Sequence, residues 1–364
     1  MDDCCCGGGY DSLAGFWGVV VMDHRFFENP TRPIGVGDKS IGRLVDEMRG
    51  IGFQGRSLGV SVEVWQEMLG EEGLSIFLGL SGAMVPAGMR RIITFLIKNR
   101  MIDCLVTTGA NLFHDAHEAL GKHHYLGSER MNDSKLYEHQ IDRIHDILAS
   151  ESEFRGLDNL IADFAGELDS DKRYSSREFI YLFGQMVANS GGAEDSILVS
   201  AYRAGVPIFV PSLSDSSIGI GLVIASRKGS HITVDHIKDV NEITSIVEAS
   251  KKTGVIYIGG GVPKNFIQQT EIVASLFGKK GMGHEYAIQY TTDSPQFGGL
   301  SGCTFDEAVS WGKISTEAKQ VQVFADATIC LPIVAHALYE KTQDTIKQRK
   351  YPVFDISGNV LGIK

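Results

Sequence analysis

Short, almost wholly apolar runs recur along this chain with helical patterns between them, and that alternation limits its fold more than any other feature. Asp103-Cys-Leu-Val-Thr-Thr108 follows an amphipathic stretch, Pro86 to Asn99, in which Pro86 suits a first helical turn. Pro207-Ile-Phe-Val-Pro211 follows the helix-like Ser196 to Ala204, and Val255-Ile-Tyr-Ile258 follows Ile237 to Lys251. Ala287-Ile-Gln-Tyr290 and Val321-Gln-Val-Phe324 are further predicted strands. A strand with no polar face must be covered on both sides, so the expectation is an α/β fold with a parallel sheet between helical layers.

Each run ends in small or polar residues: Thr107-Thr-Gly-Ala-Asn111, Ser212-Leu-Ser-Asp215, Gly259-Gly-Gly-Val-Pro263, Thr291-Thr-Asp-Ser294 and Ala325-Asp-Ala327. Any one of these reads most simply as a turn. Five at the carboxyl ends of parallel strands place a ligand site along that edge. The stretch from Lys122 to Tyr174 is rich in charge and lacks strand runs, with Leu136 to Ser150 helix-like, and reads as a helical insertion. The expected organisation is one catalytic domain over 29–345, an N-terminal extension over 1–28 and a C-terminal tail over 346–364. Within the extension, the low-complexity Cys4 to Gly9 and the ordinary segment opening at Met22 suggest that Met22 is the natural start.

Composition narrows the function by exclusion. With 34 basic against 45 acidic residues the net charge is -11, which disfavours nucleic-acid binding. The six cysteines show no zinc-site spacing, so no metal is expected, and isolated cysteines in a long chain indicate a reduced, cytoplasmic setting. No apolar run approaches the ~20 residues of a membrane span. Gly15 to Met22 is apolar but lacks a basic lead, so it does not read as a secretory signal.

Two segments carry chemistry. Gly259-Gly260-Gly261 follows an apolar strand, and glycines there let backbone amides approach a phosphate at the start of a helix near Pro263. A tight turn explains them equally well. Asp306-Glu-Ala-Val-Ser-Trp-Gly-Lys313 sets a lysine directly after Trp-Gly, six residues past a carboxylate. A lysine that forms an imine must attack as the free amine, and apolar cover from Trp311 would favour that form. Trp311 is also suited to stack on a ligand cation, and Glu307 to hold an amine. By composition alone a surface lysine beside a core tryptophan is the simpler account.

Asp306-Glu-Ala-Val-Ser-Trp-Gly-Lys-Ile314 resembles the active-lysine segment of the deoxyhypusine synthase family. Phe77-Leu-Gly-Leu-Ser81 with Gly88-Met-Arg90, then Asp103 to Thr108, Pro207 to Pro211, Gly259 to Val262 and Val323-Phe-Ala-Asp-Ala327 resemble family segments in the family's order, from about Asn29 to about Tyr339. The resemblance implies a Rossmann-like, doubly wound fold, bound NAD and a homotetramer with active sites at dimer interfaces. It implies a reaction in which NAD oxidises spermidine, the butylamine part passes to the lysine as an imine, and an acceptor amine, a protein lysine or a small amine such as putrescine, receives it. Lys313 matches the covalent lysine, and Glu307 and Trp311 match substrate-pocket residues. Thr107, Thr108, Gly109, Asp215, Gly260, Gly261, Asp326 and Ala327 fall on NAD-contacting segments, although Asp215 also suits a helix cap.

Three positions depart from the eukaryotic pattern: Ile220 and Leu300 stand where aspartates are found, and Asn265 where a histidine is found. Asp293 is the favoured replacement in the amine pocket, with His284, otherwise read as a surface histidine, second. The departures resemble the bacterial deoxyhypusine-synthase-like branch. Two other roles fit an NAD-binding chain of this kind: a non-catalytic subunit that activates a paralogue, which has no need of Lys313, and a simple NAD-dependent amine oxidoreductase.

Overall fold

The computed structural model describes residues 28–278, 283–358 and 360–363. Met22 and the residues before it lie outside that range. Six strands form one sheet: β1 (Leu74–Leu80), β2 (Cys104–Thr107), β3 (Ile208–Phe209), β4 (Lys252–Ile258), β5 (His284–Tyr290) and β6 (Ile314–Val323). They lie in the order β6-β5-β4-β1-β2-β3, all parallel. The chain thus starts in the middle, builds one wing, then returns to build the other. This is the doubly wound arrangement, with its reversal of direction between β1 and β4.

The apolar runs are explained by two cores, one on each face. Leu74, Ile76, Leu78 and Leu80 of β1 join Leu105, Ile256, Ile258 and Ile288 on one side. Phe77 joins Cys104, Val106, Val255, Tyr257 and Ala287 on the other. Every residue of β1 is buried, as the central strand of a covered sheet requires.

The helices that position the site are α1 (Arg90–Lys98), α2 (Gly109–Ala119), α3 (Glu151–Gly166), α4 (Ile197–Ala204), α5 (Ser217–Arg227), α6 (His236–Ala249), α7 (Gly261–Leu276), α8 (Phe305–Ser310) and α9 (Ala327–Gln348). The helix expected from Pro86 begins later. Pro86 sits in a single wide turn, Val85–Met89, and Gly88 at φ 84° interrupts the path before Arg90. Among the described residues no helix is long and apolar enough to cross a membrane.

The insertion is not wholly helical. Tyr125–Leu126, Ile141–Ile144 and Ile147–Ser150 form a small antiparallel sheet, so the stretch from Leu136 to Ser150 is a hairpin after a short helix, Asp133–Glu138. The spacing of Leu136, Ile141, Ile144 and Leu148 imitates a helical face. Gln140 and His145, both at positive φ, break the helix and turn the hairpin.

The last residues are fastened to the body. Arg349, buried, forms a two-pronged pair with Asp103 at 2.6 and 3.0 Å and donates to the carbonyl of Leu74. Arg177 is held by Glu242 and donates to the carbonyls of Ile356 and Gly358. Phe354, Ile356 and Leu361 enter the second core.

Candidate active site

The loops after β1 and β4 meet where the winding reverses. Ser81 donates from its amide to Ile258 O and from its hydroxyl to the carbonyl of Gly260, at 2.6 Å. Gly259 and Gly261 take φ of 72° and 55°, values that exclude most side chains. Asn111 ties in the neighbouring loop, accepting from the amides of Met84 and Val85 while donating to the hydroxyls of Thr107 and Thr108. Ser81 and Asn111 were not singled out as site residues from the sequence.

Three helices, α2, α5 and α7, begin along this carboxyl edge without a side-chain cap. By contrast α4, α6, α8 and α9 are capped by Ser196, Asp235, Thr304 and Asp326. Uncapped amino ends present amides and positive dipole to an anion. Thr108 and Gly260 hold the cap positions of α2 and α7, and Gly109 opens α2 against Ser216.

Gly260 also meets the chain's own backbone. A Cβ there would lie 2.5 Å from Cα of Ser301, so the close approach is to the chain's own 298–303 loop, and the Gly261 amide donates to the Ser301 hydroxyl at 3.0 Å.

Asp215 is exposed and caps nothing, since Ser216 precedes α5. Asp326 accepts from the amide and hydroxyl of Thr328, bonds that hold its carboxyl below the usual range, and Ala327 opens α9 beside it. Asp293 is half-buried and accepts from the amide of Ser294 at 2.9 Å.

The lysine segment has a local logic. Thr304 accepts from the amide of Glu307, starting α8, so Glu307 stands at the third helical position, as in a capping box. Gly312, at φ 70°, ends the helix: its amide bonds Val309 O and the amide of Lys313 bonds Ala308 O, the double bond of a Schellman turn. Trp-Gly-Lys is therefore a helix stop that aims the lysine.

The backbone of Lys313 is held by the amide of His284 at 3.1 Å. Its amine reaches Oδ1 of Asn265 at 2.9 Å and lies 5.4 Å from the centre of the Trp311 ring. Asn265 is four residues past Gly261, about 6 Å along α7 from the glycine loop. Lys313, Asn265 and Trp311 thus come together. Trp311 is 64% exposed, so it is not a core residue.

His284 is not a surface residue either. It is buried at the start of β5, 2.9 Å from the Thr253 hydroxyl and 3.3 Å from Glu271. Ile220 is 51% exposed on α5. Among the described residues no group of three or more His, Cys, Asp or Glu is placed to hold a metal.

Behind the lysine runs a polar network that the sequence reading missed. Lys264, fully buried, donates to Oε1 of Gln289 at 2.9 Å and to the carbonyl of Cys303 at 2.7 Å. Gln322 donates to the same two oxygens, and Gln289 donates to the carbonyls of Gly259 and Ser301. The charge of Glu307 reaches both Lys264 and Cys303. Burial pushes the Lys264 ammonium down to about 8. A signal was present: Lys264, Ile267, Gln268 and Glu271 share one helix face, and all are buried.

The model of the family described as deoxyhypusine synthase matches residues 43–338. The chain belongs to the deoxyhypusine synthase family. It is accordingly a transferase of alkyl groups. A Methanosarcina mazei protein named "Probable deoxyhypusine synthase 2" is 64% identical over 338 residues, covering 93% of this chain and 97% of that one. A deoxyhypusine synthase-like protein of Chlorobaculum parvum is 38% identical over 320 residues, covering 87% and 91%. A crystal structure of a deoxyhypusine synthase candidate from Entamoeba histolytica shares the fold, with a TM-score of 0.60 at 17% identity, covering 84% of this chain and 97% of that one.

Proposed function

We propose that this chain moves the butylamine part of spermidine to an acceptor amine through an imine on Lys313, with NAD bound along the carboxyl edge of the sheet. The observation that carries the reading is the Lys313 amine held by Asn265 beside Trp311, a lysine with a neutral partner, half-buried under an aromatic face. Asn265 fixes the amine by one hydrogen bond without fastening it in an ion pair, which leaves it placed for attack.

Glycines at positive φ and three uncapped helix ends at the winding reversal fit a dinucleotide's phosphates, and Thr107, Thr108, Asp215 and Asp326 would hold its sugars and base. When bound, NAD would accept the hydride from the carbon beside spermidine's secondary amine and return it after transfer. The lysine then adds to the oxidised carbon and 1,3-diaminopropane departs as the leaving amine. The acceptor amine displaces the lysine in turn. Trp311 and Glu307 suit the cationic ends of the substrate, and Asp293 is the carboxylate nearest in kind to those the family uses.

Ile220, Val262, Phe297, Phe324 and Ile329 are exposed along this same edge. Apolar side chains gathered around a site support closure by a second copy of the chain, in keeping with a homotetramer. The setting proposed is the cytoplasm.

The test is incubation with NAD and labelled spermidine, followed by borohydride. Label should attach to Lys313 in the native chain and be lost in Lys313→Arg, which keeps the charge but cannot supply a free amine. Supplying putrescine or a translation-factor lysine shows which acceptor yields product. Full transfer by the arginine variant would defeat the covalent assignment.

A further inference from the structure

Lys264 is buried where an ammonium is costly and a methionine of similar reach would pack without charge. Its amine lies 5.9 Å from the ring centre of Tyr257 and 5.6 Å from that of Phe305. The two carbonyl-type oxygens it binds belong to different parts of the site. Cys303 leads into α8 and so to Trp311 and Lys313, while Gln289 holds the carbonyl of Gly259 in the glycine loop. The next residue of α7, Asn265, holds the amine of Lys313. Consecutive residues of one helix therefore grip both ends of the lysine-bearing segment, and the charges of Lys264 and Lys313 feel each other.

We propose that Lys264 is a positioning residue for the chemistry of Lys313: it pins the start of α8 to the glycine loop, so that the turn behind α8 delivers the Lys313 amine to Asn265. The proposal rests on reading Lys313 as the nucleophile. Without that tie the segment that carries Lys313 has more positions open to it, and fewer of them set its amine for attack.

The experiment is single-turnover trapping of the spermidine-derived imine with cyanoborohydride, from about pH 6 to about pH 10, in the full chain with NAD. Native protein is compared with Lys264→Met and Lys264→Arg, with melting temperatures recorded on all three. In Lys264→Met trapping should fall about tenfold near pH 7, while half-saturation by spermidine stays within about twofold. Lys264→Arg, where it folds, should trap more than Lys264→Met, since it still donates to the same two oxygens. A Lys264→Met protein that melts like the native one and traps at the native rate overturns the proposal, as does one that only binds spermidine less well.

Should neither variant fold, the native profile decides. A second inflection near pH 8, where Lys264 gives up its proton, supports the assignment, and a single smooth limb overturns it. Native protein that traps nothing at any pH removes the Lys313 reading itself, an outcome distinct from all of these.

Discussion

Ile220 shows how much a single side chain's setting decides. On the core side of α5 an aspartate there would unfold the protein, but half of Ile220 is open to solvent at the carboxyl edge. Ile220→Asp should therefore melt within a few degrees of the native chain, helped by its place in the first turn of α5. Where it reaches the amine it should tighten spermidine by roughly 1–2 kcal/mol. A stable variant with unchanged affinity on calorimetry would remove this position from the pocket.

Lys264 makes a second prediction at this scale, about stability and not rate. Its folded pKa is pushed below the unfolded value of 10.5 to about 8, so between those values the unfolded chain binds the extra proton and stability rises with pH. The gain is fully present above the unfolded value and lost as pH falls through about 8, and amounts to roughly 3 kcal/mol. Melting curves of native protein and Lys264→Met should therefore converge or cross as the solution is made alkaline. Parallel curves would show that the lysine is not held in this way.

At the level of single elements, α8 and its stop carry most of the site's precision. Gly312 is the left-handed residue of the Schellman turn, and alanine in its place should cost roughly 1–2 kcal/mol. Because the same turn aims Lys313, Gly312→Ala should also lower imine trapping more than its loss of melting temperature explains. Equal losses in both would reduce the turn to scaffold. Elements of this kind were legible in sequence where a local rule forced them: strands apolar on both faces, the helical stretch ending at Ala204, a glycine loop ahead of α7. They were not legible where distant residues decide. Gly260 is crowded by Ser301, His284 is buried because Thr253 and Glu271 receive it, and the 136–150 hairpin has apolar spacing that serves helix and strand alike. Lys264 was passed over because a lysine in a helix is ordinarily a solvated one.

Across the whole molecule, the closing of the fold depends on residues far apart in the chain. Asp103 is fully buried and shared among Arg349, Arg100 and the amide of Ile76. Arg349→Met should cost roughly 3 kcal/mol, since it leaves that carboxylate short of a partner, and adding Asp103→Asn should restore part of the loss. A double variant no more stable than the single one on denaturant titration would argue against the pairing. The order of the strands bears on how the protein is made. β1 pairs with β2, which takes on β3 by Phe209, but the other neighbour of β1, β4, ends only at Ile258. At roughly 5–20 residues per second on the ribosome, a half-built sheet waits about 2–10 seconds with a largely apolar central strand open along one edge. Newborn chains in that interval are the ones exposed to wrong pairing with each other, so expression yield should respond to translation speed between β3 and β4 and to chaperone supply.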